Sequence, residues 1–228
     1  MRQPIQPDQI IRSKRKTIGI EVLPGGKVIV RAPLHTSDAR IQEALNSRAD
    51  WLRTAQQKMI AAGAAHQPKR FVEGELFWYL GRQYPLHLVE RSSTGLRFDP
   101  KSGFLLKRSA MAQAKPLFID WYREQTRRLT SQLIADYQRR YGFKVGAIRI
   151  TSAKTRWGSC SGKNNISFTY RLCMAPPSAL EYVVVHELVH TRIKNHSAQF
   201  WQAVAAILPA WKKERVWLRK NGTQLSLE

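Results

Sequence analysis

The most apolar run of the chain, residues 180–189, is interrupted by Glu181, His186 and Glu187. No other stretch constrains the fold as strongly. Tyr182, Val183, Val184, Val185, Leu188 and Val189 make it apolar nearly all round, which on a helix means burial. Pro176 and Pro177 precede it, Ser178 is placed to cap it, and Glu181 three residues later would complete a capping box. The sequence therefore predicts a buried helix near 178–193 that carries two imidazoles and a carboxylate. Such groups need partners in a core, because an unpaired buried charge is costly.

Their spacing suggests the partner. In His186-Glu187-Leu188-Val189-His190 the histidines are four residues apart, about 40° of rotation on a helix. Both rings leave one face and can share a single ion. Glu187 lies beside that ion, where a carboxylate can take a proton from metal-bound water. A hydrolytic zinc site uses three protein ligands and keeps one open position. The expected third ligand is His196, six residues past His190, with room for one more helical turn and a reversal before Ser197 opens the next helix. Glu214 is the rival, since a downstream glutamate can fill that place. His35, His66 and His87 lie far upstream with no partner in sequence.

Periodicity sketches the rest. Alternating Ile18, Ile20 and Val22, a turn at Pro24-Gly25-Gly26, then Val28 and Val30 predict a hairpin over 17–32. Ser37 should cap one long helix over 38–62, built on Ile41, Leu45, Leu52 and Met59. Strands are expected at 76–80 and 84–89 around a Gly-Arg-Gln turn, and at 96–98 and 104–106 around Asp-Pro-Lys-Ser-Gly. A long amphipathic helix on Leu117, Trp121, Leu129, Leu133 and Tyr137 should end at Gly142. Residues 145–152 read as a strand, 156–160 and 166–172 as a hairpin, and 178–193, 197–207 and 210–220 as helices. The expectation is α+β: a β-rich N-terminal region with one long helix over 1–110, then the domain bearing the chemistry over 111–228.

Charge adds a second theme. Lys and Arg number 38 against 16 acidic residues, a formal net charge of +22. That field attracts polyanions, so DNA or RNA is an expected partner alongside a peptide substrate. No apolar stretch approaches the roughly 20 residues that cross a bilayer, and residues 1–16 lack the apolar core of a secretory signal. No membrane association is expected, and the cytoplasm is the default compartment. Cys160 and Cys173, with no CxxC pair, read as reduced thiols.

A resemblance joins these readings. Arg156-Trp157-Gly158-Ser159-Cys160-Ser161, Ile166-Ser167-Phe168, the run from Tyr182 to His190, Asn195-His196-Ser197 and Phe200-Trp201 closely resemble the YgjP-like metallopeptidase family, itself related to the SprT-like zinc peptidases. Arg15-Lys16-Thr17, Val30-Arg31-Ala32-Pro33, Trp51 and Tyr79-Leu80-Gly81 resemble its N-terminal region more loosely. The resemblance implies a zincin-like domain with a small sheet beside the helix. It also implies one zinc per chain on His186, His190 and His196, and Glu187 as catalytic base. One departure is Thr169-Tyr170, where relatives commonly carry Asn-Trp.

The expected activity is hydrolysis of peptide bonds by a zinc-bound water, with Glu187 as general base. Tyr182, one turn before His186, and Arg156 are candidate donors to the substrate or transition state. Two other readings are weighed against it. One is zinc-dependent hydrolysis of an anionic non-peptide substrate such as a nucleotide phosphoanhydride, which no glycine-rich phosphate loop supports. The other is a nucleic-acid-associated protein with structural or dormant zinc, which sits poorly with three ligands, since structural zinc usually has four.

Overall fold

Residues 5–23, 25–64 and 68–228 are described in a computed structural model, which divides after residue 68 into two compact units. The first is a three-stranded sheet in the order β1-β3-β2 with two helices. β2 (Gly19–Val22) and β3 (Val28–Pro33) form the expected antiparallel hairpin. Its turn uses Gly25 and Gly26, both at φ 82°, where a side chain would be strained. Pro24, assigned to the same turn, lies outside the described residues, as does His66. β1 (Gln9–Ser13), unmarked by any alternation in sequence, pairs parallel to β3. The single helix expected over 38–62 is two, α1 (Asp38–Asn46) and α2 (Ala49–Ala64). Ser47 breaks it: its amide bonds back to Glu43 and Leu45, and its hydroxyl donates to the Ala44 carbonyl. Val28, Val30, Ala32, Ile41, Leu45 and Leu52 form this unit's own core.

The second unit, 69–227, begins with a four-stranded sheet in the order β4-β5-β7-β6. The strands are β4 (Leu76–Tyr79), β5 (Arg82–Val89), β6 (Leu96–Asp99) and β7 (Gly103–Lys107). The β4–β5 turn falls at Leu80-Gly81, one residue earlier than expected, with both residues at positive φ. The sequence reading grouped these strands with the N-terminal region. They belong with the long helix α3 (Ala114–Tyr141) because the two share one aromatic core. Phe77 stacks on Phe118 at 4.2 Å between ring centroids, and Tyr122 donates to the Trp78 carbonyl at 2.7 Å.

α3 ends where expected, with Gly142 in the left-handed conformation at φ 66°. Its buried line includes the predicted Tyr137 and otherwise differs from the predicted one. Phe118, Tyr122, Thr126, Thr130 and Ile134, every fourth residue, face inward, while Leu117, Trp121, Leu129 and Leu133 are half-buried beside them. The two threonines can be buried because their hydroxyls are satisfied. Thr126 donates to the Tyr170 carbonyl at 2.8 Å and Thr130 to the Thr126 carbonyl at 2.7 Å.

A second sheet, in the order β8-β10-β9, lies in the same unit. β10 (Ile166–Thr169) is central, parallel to β8 (Ile148–Thr151) and antiparallel to the edge strand β9 (Gly158–Cys160). The second arm of the expected hairpin stops at Thr169, and Tyr170–Met174 turn as a 3-10 helix. That turn takes backbone hydrogen bonds from the β4–β5 turn, Leu80 to Cys173 at 2.9 Å and Gly81 to Met174 at 3.0 Å. The first sheet is thereby anchored at the entry to the next helix. Three helices follow, α4 (Pro177–His190), α5 (Ala198–Ile207) and α6 (Trp211–Asn221). Among the described residues no helix is long and apolar enough to cross a membrane.

Candidate metal centre

α4 is buried along most of its length, and Val184, Val185 and Leu188 have no exposed surface. The capping box is not made. Pro176 occupies the cap position and Pro177 starts the helix with a preset φ. Ser178 instead donates to Glu214 at 3.0 Å, and Glu181 accepts from the Tyr137 hydroxyl at 2.7 Å. Partners 36 and 44 residues away in sequence outcompete the local ones.

After His190 the chain reverses over 191–197. Arg192 bonds the Tyr141 carbonyl and lies over the Phe143 ring at 4.4 Å. Lys194 bonds Asn164 Oδ1 at 2.6 Å and the Ser161 carbonyl at 3.2 Å, which ties the reversal to the β9–β10 turn. Ser197 caps α5 as expected, accepting from the Phe200 amide. The reversal carries His196 back to the face that bears His186 and His190.

The three rings converge through one atom each. His196 Nε2 lies 3.0 Å from His186 Nε2 and 3.1 Å from His190 Nε2. Ligand nitrogens on a tetrahedral ion at about 2.1 Å would stand roughly 3.4 Å apart, close to this spacing. His190 Nδ1 faces the Ile193 carbonyl at 3.0 Å. A donor bond there puts the proton on Nδ1 and leaves the Nε2 lone pair aimed at the centre. Phe200 backs the rings, 4.4 Å from His190 and 4.9 Å from His186 between centroids, and Trp201 stacks on His196 at 5.4 Å. Three lone pairs gathered on an apolar backing fit a divalent metal ion, and among the described residues these three form the group able to hold one.

Glu187 is 5% exposed. Its neighbour across the site is Gly158 on β9, where an added Cβ would come within 2.6 Å of Glu187 Oε1. Burial raises the Glu187 carboxyl from 4.5 to about 8, against the opposing pull of the Arg156 charge. Burial likewise lowers His186 to about 3, helped by His190 and His196, and moves His190 downward. Among the described residues, three buried side-chain polar atoms lack a hydrogen-bond partner: Arg15 Nε, His186 Nδ1 and Glu187 Oε2. Two of the three are in this cluster. A polar group left unsatisfied in a core is kept against its cost only where something else needs it.

A cavity of about 690 Å³ opens on Glu187 and His186, walled by Tyr182, Trp157 and Trp211 and edged by cations of α6. Tyr182 lines the same cavity as His186 and Glu187. Arg156 lines a smaller neighbouring recess of about 190 Å³. Glu214 is buried on its hydrogen bond to Ser178 and stands outside the histidine cluster. His87 pairs with Glu73 at 2.8 Å, and His35 is exposed. Sequence reasoning missed Gly158 as a contact of Glu187, and missed Lys212, Arg215 and Arg219 as cavity residues. A glycine inside a short strand was the available signal for the first.

Three imidazoles able to hold one metal ion beside a buried carboxylate are the equipment of a metallohydrolase. The family model of the YgjP-like metallopeptidase domain matches residues 16–221. The chain belongs to the YgjP-like metallopeptidase family. No curated protein and no solved structure matches it significantly.

Proposed function

We propose that this protein is a zinc-dependent peptidase with a zincin-like active centre, holding one zinc ion on His186, His190 and His196. The observation that carries the reading is the approach of His196 Nε2 to within hydrogen-bond distance of both His186 Nε2 and His190 Nε2, beside a carboxylate with an unsatisfied oxygen. A zinc ion bound there supplies Lewis acidity, polarising a carbonyl and making water acidic near neutral pH.

The chain's own residues do the rest. Glu187 Oε2, free of other hydrogen bonds, accepts a proton from the attacking water and returns it to the leaving amine. Burial raises the proton affinity of Glu187 in the metal-free site, and a cation held beside it would favour the ionised form that accepts the proton. Gly158 packs against the carboxylate, where a larger residue would displace it. β9, an edge strand, can take an extended peptide as an added strand, which gives main-chain binding with little side-chain demand. Tyr182 shares the cavity with Glu187 and can donate to the developing oxyanion.

Metal analysis and hydrolysis assays on wild type and Glu187→Gln test this reading. Both proteins should hold about one metal per chain, and only the wild type should turn over a casein-derived peptide. Equal activity in the two removes Glu187 as the base. Nucleoside triphosphates serve as the comparison substrate, and their preferential hydrolysis would replace the peptidase reading with a phosphoanhydride one. The charge of +22 supports a polyanion partner such as DNA or RNA, and binding that falls steeply with salt tests it.

A further inference from the structure

Three cations of α6, Lys212, Arg215 and Arg219, line the cavity that opens on Glu187. Their spacing of three and then four residues puts them on one face of the helix. Glu214, on the same helix, is buried and turned to Ser178. Among the described residues no carboxylate lies within 4 Å of any of the three. Two rest on rings instead: Arg215 lies over Trp201 at 4.9 Å and Lys212 over Trp211 at 5.8 Å.

Those rings lead to the histidines. Trp201 stacks on Trp211 at 4.5 Å, Trp211 on Tyr182 at 6.4 Å, and Tyr182 meets His186 edge-on at 5.9 Å. The cavity is therefore apolar along its walls and positive at its rim. Arg219 also lines the neighbouring recess with Lys154 and Arg156, which extends the positive field past Trp157.

We propose that this cavity is the subsite for a carboxylate-bearing residue next to the scissile peptide bond, with Lys212, Arg215 and Arg219 as the residues that read its charge. The inference rests on the peptidase reading and adds a substrate class to it. An acidic side chain fits both properties of the cavity. Its methylenes lie on Trp211 and Leu218, its carboxylate meets the cations, and its backbone is left beside Glu187. The terminal carboxylate of a peptide presents the same chemistry. A phosphodiester chain would also match the positive rim, so competition with an oligonucleotide separates the two ligands.

Quenched-fluorescence peptides, identical except for Glu, Gln or Lys flanking the cleaved bond, test the proposal. Each is made as C-terminal amide and free acid. Metal-loaded wild type should cleave the Glu peptides about tenfold faster in kcat/KM than the Gln peptides, and the Lys peptides more slowly still. If the free acid alone confers the advantage, the subsite reads the chain terminus. The Lys212→Glu/Arg219→Glu protein should invert the Glu-to-Lys ratio, which is internal to one protein and independent of its specific activity. Arg219→Gln, expected to lower the ratio severalfold, serves if the double variant does not fold.

Binding of the same peptides to metal-loaded Glu187→Gln should follow the same order, measured by fluorescence anisotropy. The two ideas then fail separately. Ordered binding with no hydrolysis by wild type defeats the peptidase reading and leaves carboxylate recognition standing. Equal hydrolysis and binding of the Glu, Gln and Lys peptides overturns carboxylate recognition. So does an oligonucleotide that displaces every peptide at lower concentration, since the cations then read phosphate.

Discussion

The Cα of Gly158 lies against the Glu187 carboxylate so closely that a methyl group there would come within 2.6 Å of Oε1 and 2.7 Å of Cγ. Real side-chain carbons do not approach so near, so either β9 or the carboxylate must move. Gly158→Ala is expected to lower kcat by about 10- to 100-fold through displacement of Glu187, with metal content unchanged. Steady-state kinetics and metal analysis of the purified variant check this. Full activity would mean that the carboxylate has room to shift without consequence.

Glu187 also sets a pH dependence for the metal-free protein. Its folded value of about 8 lies above its ordinary 4.5, so the folded state keeps a proton that the unfolded chain has released. The resulting stability is full below about pH 4.5 and is lost as pH rises through about 8. His186, held near 3 by burial, acts with the opposite sign, and its contribution is lost as pH falls from 6.5 toward 3. Comparison with Glu187→Gln isolates the carboxylate. Metal-free Glu187→Gln should be more stable than wild type at pH 8, by on the order of 3 kcal/mol or less, and the gap should close by pH 5. Urea melts at the two values decide it, and a gap independent of pH would contradict the assigned burial.

Metal binding should stabilise the fold in proportion to the ligands present. Zinc at about a thousand times its dissociation constant adds about 4 kcal/mol, roughly 10 °C in Tm for a unit of this size. His196→Ala should lose more than half of that shift, because it removes the nitrogen that approaches both of the others. A thermal shift unchanged in His196→Ala would place the ion elsewhere.

The two cysteines should react differently. Cys173 is fully buried, and burial pushes its thiol up to about 12. Cys160 is half-buried and raised by a lesser burial, with Lys194 opposing. The thiolate is the reactive form, so reactivity grows as pH rises toward the raised value. Native protein at pH 8 should label slowly at Cys160 and not at Cys173, and denatured protein at both, as read by mass spectrometry. Rapid labelling of native Cys173 would contradict its burial beneath Tyr122 and Tyr170.

Much of the centre was legible because its chemistry is local. Four-residue spacing puts His186 and His190 on one helix face whatever surrounds it, and the apolar residues around them require that helix to be buried. Gly142 closes α3 for a similarly local reason, since only the left-handed conformation suits the chain there. Long-range competition decided what sequence left open. His196 and Glu214 were both possible third partners. The reversal, pinned by Arg192 and Lys194, brings His196 to the other two imidazoles, while Glu214 is hydrogen-bonded to Ser178 outside that group. The capping box failed because Tyr137 and Glu214 claimed its two members. The grouping of β4–β7 with α3, the contact of Gly158 with Glu187, and the cation-edged cavity all depend on side chains far apart in sequence. Periodicity registers which face of an element is buried. Which partner covers that face is settled only when the competing contacts form together.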